Sequence, residues 1–104
     1  MKVDPTVFRA WCKSKGLPRP EAELTIIPGR RFRHDFGWPA YRVVIEVQGG
    51  VYMRGKSGHS SGTGIVRDME KLSLTTVAGW RTIQVQPRDL MTERTAQWLT
   101  GLLS

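Results

Sequence analysis

The stretch HDFGWPAYRVVIEVQ, residues 34–48, decides how this chain folds. Its second half, RVVIEVQ, is rich in β-branched residues and reads as a largely buried strand. Its first half closes the run RRFRHDF, in which Phe32, His34 and Phe36 share one face and Arg31, Arg33 and Asp35 the other. GWPAY turns the chain between them, so the two runs form an antiparallel pair. With the turn centred near Ala40 and Tyr41, Asp35 lies directly opposite Glu46, with Cβ atoms about 5 Å apart. Gln48 then shares the face of Glu46, while Ile45 and Val47 point into the core.

A carboxylate inside an apolar run such as VVIEV is costly unless it is paired or holds a metal. Two carboxylates facing each other repel unless a cation sits between them. Oxygen ligands of this kind suit Mg2+, which takes one or two carboxylates and keeps waters or phosphates elsewhere. Mn2+ is expected to substitute. The competing reading of the same spacing is a pair of structural ion pairs, Asp35 with Arg33 or Arg42 and Glu46 with another arginine.

Outward from this hairpin the elements follow in the order α-β-β-β-α-β-α. Asp4 caps a first helix with Pro5 in its first turn, Val7, Phe8, Trp11 and Cys12 on one face, and Gly16 at its end. Cys12 is the single cysteine and is expected to pack in or near the core. ELTII (23–27) reads as a strand closed by Pro28-Gly29. A second helix starts at Thr63 or Gly64, with Ile65, Met69, Leu72 and Thr76 at helical spacing, and ends at Ala78-Gly79. WRTIQVQ is a further strand. The tail from Met91 forms an amphipathic helix with Thr92 as cap and Trp98, Leu99 and Leu102 facing inward. The fold class is α/β, a mixed sheet flanked by helices. With 104 residues the chain spans a single domain, 1–104.

Sixteen Lys and Arg against nine acids give a net charge of +7 and a pI near 10.3. Such a basic chain fits a polyanion, most often nucleic acid. No apolar run approaches the ~20 residues of a membrane span, and the N-terminus lacks a signal-peptide core, so a cytoplasmic protein is expected. Residues 49–64 hold six glycines and three serines, a composition expected to form a flexible loop. The spelling Gly50-x4-Gly55-Lys56-Ser57 within it is that of a phosphate-binding P-loop, but GHSSGTG follows and cannot open the helix that such a loop needs. Arg54, Lys56 and His59 would instead approach DNA phosphates from this glycine-rich segment.

As a combination, D-F (Asp35), E-x-Q-G-G (from Glu46), D-x-E-K (Asp68 to Lys71) and G-W-R (from Gly79) resemble the PD-(D/E)xK nuclease superfamily. More narrowly they resemble small phage and bacterial endonuclease-like proteins akin to very-short-patch repair and Holliday-junction resolvase-like nucleases. The resemblance runs from about residue 17 to 90. It implies a restriction-endonuclease-like core and a metal-dependent phosphodiesterase with Asp35, Glu46 and the Val47 carbonyl as metal ligands. Position 48, usually lysine in the superfamily, is Gln48, which can orient a water but carries no charge. Lys71, sharing a helix face with Arg67 and Leu74, would supply the missing cation. Glu23 would be an additional acidic contributor.

The expected function is thus a Mg2+-dependent DNA endonuclease, acting on branched or repair and recombination intermediates. Arg30, Arg31 and Arg33 would grip the backbone, Trp38 would stack on a base or mark an interface, and a homodimer or larger partner would complete the footprint. The alternatives are a catalytically weak or inactive DNA-binding module of the same fold, and an acid-paired interaction protein.

Overall fold

The computed structural model describes residues 3–49 and 62–104. Arg54, Lys56 and His59, the motif at 50–57 and most of the loop expected at 49–64 lie outside the described residues; residues 62–64, expected to belong to that loop, open a helix instead. Among the rest, three helices flank a four-stranded mixed sheet in the order α-β-β-β-α-β-α.

Helix α1 (Pro5–Ser14) begins as its residues require: the Asp4 carboxylate accepts from Thr6 N at 2.9 Å, and proline occupies the first turn. Phe8 and Cys12, one turn apart, are fully buried. Gly16, at φ 72°, ends the segment. Strand β1 (Glu21–Leu24) lies earlier than expected, ahead of the apolar pair Ile26-Ile27. Its partner β2 (His34–Trp38) begins four residues into RRFRHDF. β2 passes through a short 3-10 turn at Pro39–Tyr41 into β3 (Val43–Val47), Arg42 taking the left-handed conformation at φ 52°.

β3 is paired on both sides, antiparallel to β2 and parallel to β4 (Arg81–Val85). All five of its residues are buried, as its near-continuous β-branched run demands. A parallel neighbour requires a long crossover, and helix α2 (Gly62–Val77) supplies it. The main core lies between the sheet and helices α1 and α3 (Glu93–Leu102). Phe36, Trp38, Val43, Ile45, Val47, Ile83 and Val85 pack there against Phe8, Cys12, Leu90, Leu99 and Leu103. Gly37 sits where any Cβ would collide with the Leu24 and Val44 side chains and the Val43 carbonyl. No helix among the described residues is long and apolar enough to cross a membrane.

Helix α2 covers the opposite face, and its orientation is not what its apolar spacing suggests. Ile65, Met69 and Leu72 are 49%, 61% and 40% exposed, whereas Thr75 is buried. The side of α2 turned to the sheet is the one carrying Lys71 and Thr75, because the sheet face opposite the main core is largely polar, presenting Glu46, Thr82 and Gln84 beside the buried Val44. In α3 the buried face is Thr95, Ala96 and Leu99. Trp98, expected to face inward, is 45% exposed. It lies one position before Leu99 and is turned out with Arg94, whose guanidinium stacks over the indole at 4.9 Å.

Candidate active site

The site is built on the hairpin. Partners Trp38↔Val43, Gly37↔Val44 and Phe36↔Ile45 define the register, and one residue further along it Asp35 stands opposite Glu46. Main-chain pairing stops at Phe36. Beyond it the Asp35 carboxylate accepts the Val47 N–H at 2.7 Å. On the other side of β2, Glu23 falls between the partners Ala22↔Phe36 and Leu24↔His34. The three acids therefore lie in one row across three strands.

Lys71 reaches this row from α2. Its Nζ lies 3.0 Å from Glu46 Oε2 and also donates to the Arg33 carbonyl. Glu46 is only 7% exposed. Burial pushes its carboxyl up to about 7; the Lys71 charge opposes that rise and the Asp35 charge adds to it. The ion pairs among the described residues differ from those the ion-pair reading offered: Arg33 meets Glu23 at 3.3 Å, and Glu46 meets Lys71 rather than an arginine.

His34 departs from strand alternation, which puts it on the face away from Glu46. Its Nε2 lies 3.5 Å from Glu46 Oε2 and 2.9 Å from Thr75 Oγ1, with the ring fully enclosed. The β2–β3 ladder ends at Phe36, so residues 34 and 35 have no main-chain partner on β3, and His34 keeps only its pairing with Leu24 of β1. Thr75 donates its one hydroxyl proton to the Lys71 carbonyl at 2.7 Å, so it must accept from His34, which assigns the proton to Nε2. Burial first, then the Lys71 charge, hold His34 down to about 4. It is neutral near pH 7, and its contact with Glu46 is polar rather than ionic.

These groups line a cleft of about 200 Å³, together with Arg33, Val47, Gln48, Asp68 and Gln84. Its hard oxygen donors are the facing carboxylates of Asp35 and Glu46, the Asp68 carboxylate and the amides of Gln48 and Gln84. Glu46 Oε2 is buried with no well-directed hydrogen bond. That set fits a divalent cation such as Mg2+, which needs one or two carboxylates and completes its shell with water or phosphate. Asp35 and Glu46, opposite each other on β2 and β3, would be the charged ligands.

The remaining expected site residues are dispersed. Glu23, at φ 53°, is exposed and lines a neighbouring hollow that shares Asp35 and Val47 with the cleft, and it pairs with Arg33 at the cleft rim. Arg30 is engaged by Glu70 through two bonds of 2.8 and 3.2 Å and lies over Phe32 at 4.6 Å. Arg31 is exposed, and Arg33 lies at the cleft rim. Trp38 is 2% exposed and donates its indole N–H to the Pro18 carbonyl at 2.8 Å. A core residue so enclosed cannot stack on a base or form an interface. Sequence reasoning missed the His34–Thr75 link, whose one signal was Thr75 standing four residues after Lys71.

No family model, curated protein or solved structure matches this chain.

Proposed function

We propose that this chain is a Mg2+-dependent endodeoxyribonuclease of the PD-(D/E)xK type, built on a restriction-endonuclease-like core. The observation that carries the reading is the convergence of Asp35, Glu46 and Lys71 on one polar cleft, with the lysine 3.0 Å from the buried carboxylate. A bound cation would polarise the phosphodiester and ease formation of the attacking hydroxide. The chain's own residues do the rest. Asp35 and Glu46, with the Val47 carbonyl, would hold the cation, for which Glu46 must give up the proton that burial favours. Gln48 orients a water by hydrogen bonds, and Lys71 stabilises charge developing on the phosphoryl oxygens.

The +7 charge supports DNA as the partner. Arg31 and Arg33 supply backbone contacts, Arg30 joins them only by exchanging Glu70 for phosphate, and the 50–61 segment would add Arg54, Lys56 and His59. Branched, repair or recombination intermediates are the substrates, in the cytoplasm of a bacterium or phage-infected host. The exposed apolar residues of α2, Ile65, Val66, Met69 and Val77, support a homodimer. One observation favours a second reading: Gln48 stands where the superfamily carries lysine, which suits a catalytically weak or inactive DNA-binding module.

Supercoiled plasmid and a four-way junction incubated with wild type and Glu46→Gln in Mg2+, Mn2+ or EDTA separate the two. Cleavage that needs the metal and vanishes in the variant is the expected result. Salt-sensitive binding without cleavage would select the binding module. Equal cleavage by the variant would remove the support for this site.

A further inference from the structure

The cleft does not end at Gln48. Gln48 and Gln84 also line a second hollow, about 320 Å³, whose far wall is formed by Gln86, Asp89, Arg94 and Trp98. Gln84 is the strand partner of Glu46 in the parallel β3–β4 ladder, so their backbones stand one strand spacing, about 4.8 Å, apart, and Gln84 lines both hollows. Here the chain exposes its most solvent-accessible described tryptophan beside a row of amides.

Each feature has a use if the occupant is a nucleobase. The indole of Trp98 is 45% exposed, a large apolar plane that single-stranded bases stack on. The Arg94 guanidinium lies over one face of the ring at 4.9 Å from its centroid, and its Nη2 lies 3.5 Å from Asp89 Oδ2. Asp89 is fixed in turn by the Gln86 amide at 2.8 Å. Gln48 and Gln84 each carry donors and an acceptor, the complement of a base edge. A purely apolar ligand would have no use for the amides, and a base paired inside a duplex cannot present its face to the indole.

We propose that Trp98, Arg94, Gln84 and Gln48 form a platform for an unpaired base next to the scissile phosphate. This rests on the nuclease reading of the adjoining cleft and narrows its substrate to DNA with unpaired nucleotides at the cleavage point: flaps, frayed ends, junctions or single strands.

The test is binding of fluorescein-labelled oligo(dT) and of a blunt duplex, followed by anisotropy in EDTA, for wild type, Trp98→Ala, Trp98→Phe and Gln84→Ala. Loss of one stacked base should weaken oligo(dT) binding by Trp98→Ala about 5- to 100-fold. Duplex binding should change less than about twofold, and Trp98→Phe should retain most of the affinity. Gln84→Ala, at an exposed position, should weaken oligo(dT) about 2- to 10-fold whether or not Trp98→Ala folds. Equal weakening of both DNAs, or no weakening, overturns the platform while plasmid cleavage by wild type leaves the nuclease reading standing. Wild type that binds neither DNA overturns both.

Discussion

Glu46 and His34 touch, yet burial drives their protonation in opposite directions, and Glu46→Gln should uncouple them. In the folded chain Glu46 is raised from 4.5 to about 7. Its proton is bound more tightly folded than unfolded, so the associated stability is full below pH 4.5 and is lost as pH rises through about 7. At about 1.36 kcal/mol per pH unit this interval is worth roughly 3 kcal/mol. The side chain is 9% exposed, so solvent screening removes little of it. His34 is lowered from 6.5 to about 4; its contribution is full above pH 6.5, is lost as pH falls through about 4, and is of similar size. Between about pH 4.5 and 6.5 the two slopes oppose, and wild-type stability should be nearly flat before declining toward neutrality. In Glu46→Gln only His34 remains, so stability should rise with pH and level off near 6.5. Urea unfolding in EDTA across this range, followed by tryptophan fluorescence, measures both curves. The variant should gain roughly 3 kcal/mol on wild type between pH 4.5 and 7.5. Parallel curves would refute the protonation states assigned to the pair.

Two other perturbations probe the same cluster. Lys71→Met removes the charge that opposes the rise of Glu46; the Glu46 carboxyl should titrate above about 7, followed by NMR, and metal-dependent cleavage should fall by at least about 100-fold. Thr75→Val removes the acceptor for His34 and the hydroxyl bond to the Lys71 carbonyl; the unpaired imidazole N–H should cost about 1–3 kcal/mol by urea unfolding, with the far-UV spectrum unchanged.

The hairpin was legible because two independent signals agreed. A β-branched run demanded a buried strand, and the turn length alone set Asp35 opposite Glu46. Lys71 was legible for a similar reason, since helical spacing from Arg67 to Leu74 fixes one face. Facing was harder to read than element type. Hydrophobicity marks Ile65, Met69 and Trp98 as good core residues, but the sheet face under α2 is largely polar and the inner face of α3 was already filled by Thr95, Ala96 and Leu99. The two tryptophans consequently exchanged expected places, Trp38 in the core and Trp98 outside. His34 was misread because strict alternation was carried past Phe36, where the β2–β3 ladder ends, and the point at which a ladder stops leaves no mark in residue type.

Asp35 and Glu46 together should hold one divalent cation. Mn2+ titration followed by electron paramagnetic resonance tests this directly, using wild type, Asp35→Asn and Glu46→Gln at about pH 8, where Glu46 is ionised. Wild type should bind one Mn2+ per chain saturably, displaced by Mg2+, and both variants should lose it. Undiminished binding in either variant, or no binding by wild type with DNA present, would contradict this assignment.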